Sequence, residues 1–275
     1  MTDRTVSLAG RVALVTGAGR GLGASHARAL AAAGASVVVN DLSVSLDGSA
    51  VEAGNVAART AAEIVAVGGT AVADCSDVSG FAGAESAVQC AVETFGGLDI
   101  LVNNAGILTG GGLTELSQVD IERCLAVNVI GSAGTVRAAF GYMRDRRYGR
   151  VVNTISEAAL RIGFHAGAAY ASAKAALWGL TMALADEGAP HGITVNAVSP
   201  GARTRMSRAH LERTGSDLDL VPEHVSRVVL ALVAESAGDL TGRVVHAAGG
   251  AIREYRLHRE ADTPLVRRLN EEEVR

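Results

Sequence analysis

The chain has 275 residues, 48% hydrophobic but only 3% aromatic, so it can fill one sizeable core built from Ala, Val, Leu and Ile. A formal net charge of −4 leaves no electrostatic footprint for nucleic acid. Cys75, Cys90 and Cys124 are an odd count without metal-like spacing, so reduced thiols, no metal site and a cytoplasmic location are expected. No signal-peptide pattern opens the chain and no uncharged apolar run reaches about 18 residues, so no membrane association is expected.

Arg11–Thr16 is a short apolar run that reads as a buried strand. It runs into Gly17-Ala-Gly19-Arg20-Gly21-Leu22-Gly23. A helical pattern from Ala24 to Ala33 stops at Gly34, and Ser36–Asn40 is a second strand ending in Asp41. This strand–turn–helix–strand unit, with an acid 18 residues past the last glycine, is the context a dinucleotide fingerprint requires. Glycines let the backbone approach a pyrophosphate, and the helix N-terminus favours its negative charge.

Residues 42–56, rich in Ser, Gly and Asp, read as an extended loop. A helix at about 57–67, a strand at Thr70–Asp74 and a helix at Ala84–Phe95 follow. The strand Asp99–Val102 ends in Asn103-Asn104-Ala105-Gly106. One long helix is predicted from about Ser117 to Arg147, opened by a Ser117/Asp120 capping box. Then come a strand at Val151–Ile155, a helix at Ala168–Glu187, a strand at Ile193–Val198, a helix at Pro222–Glu235 and a last strand at Val244–Ala247. The alternation predicts an α/β fold, a doubly wound parallel sheet of about seven strands covered on both faces. It forms one domain over residues 1–252, and the charged stretch 253–275 reads as a solvated tail.

Lys174 is the only lysine in the chain; every other basic residue except histidine is arginine. It stands four residues after Tyr170 in a helical segment, so the two side chains share a face. An ammonium beside a phenol favours the phenolate and lowers a pKa that is otherwise near ~10. Alone, a Tyr-x-x-x-Lys match is common and far more often a surface pair than a catalytic one. Its company decides the matter.

That company comprises Thr16-Gly17-x-x-x-Gly21-x-Gly23, Asp77-Val78, Asn103-Asn104-Ala105-Gly106, Val127-Asn128-Val129-x-Gly131, Ser156, Tyr170-x-x-x-Lys174 and Pro200-Gly201. In this order the motifs resemble the short-chain dehydrogenase/reductase family in its single-domain, Rossmann-type form, over about residues 7–250. Val39-Asn40-Asp41-Leu42 with the loop after it, and Ser199–Met206, further resemble the dehydrogenase domain of peroxisomal multifunctional enzymes and its bacterial relatives. The resemblance implies hydride transfer between a nicotinamide dinucleotide and a secondary alcohol or ketone. It implies Tyr170 as proton donor and acceptor, Lys174 as the group that lowers its pKa and binds the nicotinamide ribose, and Ser156 as holder of the substrate oxygen. Asn128 bends its helix and holds a relay water. Gly17, Arg20, Gly21, Leu22, Gly23, Asp77, Val78, Asn104, Ala105, Gly106, Pro200, Gly201 and Thr204 are the implied cofactor contacts. Asp41 binds the adenosine ribose and argues for NAD, whereas Arg20 could pair with a 2′-phosphate and argues for NADP; the acid is given more weight.

Ser156 and Tyr170 are fourteen steps apart, one more than the family's usual spacing, so an extra residue is expected within 157–169. A slip upstream would put Glu157 in the serine's place. That irregularity is the one feature favouring a non-catalytic dinucleotide sensor or scaffold. Substrate contacts are expected from loops near 107–114, 157–169 and 202–220. Arg203, Arg205, Arg208, His210 and Arg213 suggest either an anionic handle or, more often for such runs, a solvated helix face. Small residues on the two long helices, including Ala138, Ala139, Ala175 and Ala176, together with the resemblance, imply a homo-oligomer.

Overall fold

A computed structural model describes residues 6–109, 112–160, 166–215 and 219–257. The first unit is β1 (Val12–Thr16), α1 (Gly21–Ala32) and β2 (Ser36–Asn40). It is followed by α2 (Val56–Ala66), β3 (Thr70–Asp74), α3 (Phe81–Phe95) and β4 (Ile100–Asn103). The second half comprises α4 (Gln118–Leu125), α5 (Gly131–Arg146), β5 (Gly149–Thr154), α6 (Gly167–Gly188) and β6 (Ile193–Gly201). The chain continues through α7 (Arg208–Thr214), α8 (Pro222–Val233), β7 (Val244–Ala248) and β8 (Ala251–Tyr255).

The strands form one sheet in the order β3-β2-β1-β4-β5-β6-β7-β8. β1 to β7 pair in parallel. Successive strand residues point to opposite faces, and both faces are buried, which is why the strands read as unbroken apolar runs. Ala13, Val15, Val37 and Val39 pack on one side with Leu30 of α1 and Val229 of α8. Leu14, Val38 and Leu101 pack on the other with Val88 of α3 and Met143 of α5. Fully buried leucines such as Leu14, Leu30 and Leu101 each stabilise the fold by about 1.5–3 kcal/mol through loss of water contact. The order reverses between β1 and β4, so the crevice at their C-terminal ends is where a ligand fits.

Four local features differ from expectation. The long helix is interrupted by a π turn at Ala126–Ile130, centred on Asn128, between α4 and α5. Its start is as expected: Ser117 and Asp120 form a reciprocal capping box. An eighth strand, β8, pairs antiparallel to β7, so Arg253 to Tyr255 belong to the sheet and not to a solvated tail. The boundary drawn at residue 252 therefore falls inside a strand; residues 258–275 lie outside the described residues. The 42–56 loop folds back on itself, with Val44 bridged to Val51 and Ser45 N bonded to Ala50 O. Lastly, residues 208–214 form the short helix α7.

Candidate active site

Glycine sets the shape of the β1–α1 turn. Gly17 has φ +62°, and a Cβ there would lie 2.8 Å from Ala105 Cα, so only glycine lets the turn close against the end of β4. Thr16 clamps the two strand ends together, its Oγ1 accepting from Asn104 N at 3.1 Å and Ala105 N at 3.0 Å. Asn104 completes the clamp by donating Nδ2 to Thr16 O and Gly17 O, each at 3.0 Å. Its side chain thus braces the glycine turn, while its residue still lines the crevice. Thr16 is a site-supporting residue that the motif alone marked only as a strand end.

Asp41, just past β2, accepts from Gly19 N at 2.9 Å and from Ser43 N at 2.7 Å, which fixes its carboxylate beside the glycine turn. Arg20 is engaged by Glu52 at 2.5 Å, and Arg205 reaches the same carboxylate at 2.7 Å. Val78 is buried and Asp77 exposed, both at the crevice edge. Gly131 lets the helix approach this segment, since a Cβ there would meet Val78 O at 2.6 Å.

At the other end, β5 delivers Ser156 and α6 presents Tyr170 and Lys174 on one face. Tyr170 is 5% exposed, Lys174 3% and Ser156 9%. Ser156 hydrogen-bonds the Tyr170 side chain, and Met206 Sδ lies 3.5 Å from the Tyr170 hydroxyl. Glu157 is occupied elsewhere: its Oε1 accepts from Tyr255 at 2.6 Å and sits 3.4 Å from His246 Nδ1. Ser156, not Glu157, therefore faces the tyrosine. Residues 161–165, within the segment 157–169 where an extra residue is expected, lie outside the described residues.

Lys174 Nζ donates to Thr154 O at 2.8 Å and stands 5.5 Å from the Tyr170 ring centroid. The expected depression of the Tyr170 pKa is not found. Burial pushes the phenol well above its ordinary value, and the Ser156 hydrogen bond offsets only part of this. Burial also lowers Lys174 from 10.5 to about 8. Desolvation of both groups outweighs the attraction of an ammonium at this distance.

Asn128, fully buried in the π turn, donates Nδ2 to Cys124 O at 2.9 Å and Ile107 O at 3.1 Å. Among the described residues its Oδ1 is buried without a hydrogen-bond partner. A Cβ on Gly106 would lie 2.8 Å from that oxygen and 3.5 Å from Lys174 Nζ, so both atoms face the same glycine.

One cavity of ≈ 1120 Å³ runs from the glycine turn to Tyr170. Gly17, Arg20, Gly21, Leu22, Gly23, Asp41, Asp77, Val78, Asn104, Ala105, Gly106, Ser156, Tyr170, Lys174, Pro200, Gly201 and Thr204 all line it. Asn128 stands behind its wall. Of the basic run, Arg205 and His210 line the cavity, while Arg203, Arg208 and Arg213 do not. Met206, within the stretch 202–220 expected to contact substrate, lines the cavity too, whereas the sequence reading missed His246 and Ala248 of β7. The rule that ligands gather at the C-terminal ends of parallel strands pointed to the β7 pair.

The glycine turn, the fixed Asp41 carboxylate and the cavity's length fit a dinucleotide with its pyrophosphate at the α1 N-terminus. Comparison with known proteins points the same way. The family model described as short chain dehydrogenase matches residues 11–214. The chain is 39% identical over 259 residues to hydroxyacyl-CoA dehydrogenase ChsB1 of Mycobacterium tuberculosis, covering 88% of this chain and 78% of that one. It is 37% identical over 254 residues to the peroxisomal hydratase-dehydrogenase-epimerase of Neurospora crassa, covering 92% of this chain but only 28% of that protein's length. A crystal structure of a short chain dehydrogenase from Mycobacterium avium superposes with a TM-score of 0.80 at 41% identity, over 93% of this chain and 88% of that one. The match extends through both ends of the cavity, and the chain belongs to the short chain dehydrogenase family, oxidoreductases that act on hydroxyl groups.

Proposed function

We propose that this chain transfers hydride between NAD and a secondary alcohol or ketone, with a 3-hydroxyacyl thioester as the preferred substrate class. The observation that carries this reading is the junction of Ser156, Tyr170 and Lys174 at one end of a cavity whose other end is the glycine turn and Asp41. The substrate class draws on the hydroxyacyl-CoA and peroxisomal relatives. NAD over NADP draws on Asp41, whose charge opposes a 2′-phosphate. A homo-oligomer in the cytoplasm completes the proposal.

A bound nicotinamide supplies the hydride acceptor or donor. Tyr170 gives or takes the proton at its hydroxyl, and Ser156 Oγ orients the substrate oxygen beside it. Lys174 keeps its ammonium under the tyrosine by its bond to Thr154 O. The unpartnered Asn128 Oδ1, facing Gly106 with Lys174 Nζ, extends a path for the proton away from the tyrosine. No feature favours the sensor reading once Ser156 is seen to meet Tyr170.

The test is NADH formation from 3-hydroxyacyl-CoA, compared with the free hydroxy acid and simple secondary alcohols. Tyr170→Phe is expected to lower kcat by roughly 10²–10⁴-fold. Unchanged turnover in that variant, or equal kcat/KM for thioester and free alcohol, refutes the catalytic role or the thioester preference respectively.

A further inference from the structure

Arg20 follows Gly19, whose N–H is held by Asp41, so its guanidinium springs from beside the carboxylate assigned above to the adenosine ribose. An arginine at that place is a natural partner for a 2′-phosphate. Here it is already taken. Arg20 Nη1 donates to Glu52 Oε2 at 2.5 Å, and Arg205 Nη1 donates to Glu52 Oε1 at 2.7 Å. The hydrogen bond from Arg20, and the nearby charge of both arginines, hold the Glu52 carboxyl below its ordinary range.

The loop that carries Glu52 is anchored at several points. Glu52 N donates to Ser43 O at 2.6 Å, and Ser43 Oγ accepts from Val56 N at 3.3 Å. Ser43 N reaches Asp41 itself, and Thr60 Oγ1 of α2 bonds Gly19 O at 3.1 Å. Both arginines line the cavity, whereas Glu52 does not, so the acid holds them from behind.

The geometry points to Glu52 as a cofactor-specificity residue, which masks Arg20 and so discriminates against a dinucleotide bearing a 2′-phosphate. This rests on the dinucleotide reading of the site and adds a second discriminator to Asp41. A 2′-phosphate could recruit Arg20 only by breaking its pair with Glu52, and it would then face two acids, Asp41 and Glu52. The side chains of Arg20 and Glu52 are 31% and 35% exposed, so the effect is moderate: about tenfold in affinity.

The test is direct titration of NADH and NADPH by fluorescence, without substrate, on wild type, Glu52→Gln and Arg20→Gln/Glu52→Gln. Glu52→Gln is expected to tighten NADPH about tenfold and to move NADH less than about threefold. The double variant is expected to lose the gain. An NADPH affinity that does not change in Glu52→Gln overturns the proposal, as does a gain that persists without Arg20. If wild type binds NADPH as tightly as NADH, the NAD preference falls, and the Glu52→Gln ratio still decides the masking. If wild type binds neither, both readings are overturned.

Discussion

Replacing Lys174 with methionine is expected to stabilise the cofactor-free protein while destroying its activity. The ammonium is 3% exposed and donates to a neutral carbonyl, Thr154 O. Its pKa falls from 10.5 to about 8 because burial disfavours the charge. At about 1.36 kcal/mol per tenfold change in acidity, holding the charge there costs about 3 kcal/mol. The hydrogen bond to Thr154 O returns about 1 kcal/mol, leaving a net cost of about 2 kcal/mol. For a domain of this size that corresponds to roughly 4–8 °C in Tm. The sign with pH follows from linkage. Below pH 8 the amine is charged in the folded and unfolded chains alike, and the penalty is complete. Between pH 8 and 10.5 the folded protein releases the proton first, so wild type gains stability and the gap to the variant closes. Thermal unfolding of both proteins at pH 7 and pH 10, followed by circular dichroism, measures this. A variant no more stable than wild type at pH 7, or a gap equal at both pH values, refutes the reasoning.

Two further outcomes are expected. His26 is 1% exposed, bonded through Nδ1 to Ser226 Oγ at 2.8 Å, and burial lowers its pKa from 6.5 to about 4. It is neutral in the fold, so its stabilisation is complete above pH 6.5 and about 3 kcal/mol is lost as the pH falls to 4. Urea unfolding of wild type and His26→Asn across that range is expected to show a flatter profile for the variant; parallel profiles count against it. Met206→Ala removes the thioether from the Tyr170 hydroxyl and is expected to lower KM for a small ketone about threefold at nearly constant kcat. A fall in kcat in steady-state assays would instead give Met206 a part in the chemistry.

The strands and the glycine turn were legible because a doubly covered parallel sheet writes itself as apolar runs, and because Gly17 and Gly23 sit where a Cβ has no room. The π turn was not, since one extra residue in a helix leaves the apolar spacing nearly unchanged, and Asn128 alone hinted at it. β8 was hidden for the opposite reason. Ala251 to Arg253 and Glu254 are exposed, so no buried face marks the strand. The Tyr170–Lys174 pair was readable as a pair but not in its acidity: adjacency is local, whereas burial of the phenol depends on Cys124 and Met206 packing against it from elsewhere in the chain. The Arg20–Glu52–Arg205 cluster joins three distant parts of the chain: the two arginines were marked in the sequence, but nothing there linked them to each other or to Glu52.

The lysine-free exterior has a chemical corollary. The only side-chain amine in the molecule lies at the bottom of the crevice, and its lowered pKa leaves more of it as free base at neutral pH than an ordinary lysine. Apart from a terminal α-amine, a reductive-alkylation reagent small enough to enter would thus find its one target in the crevice, and a ligand seated there would shield that side chain.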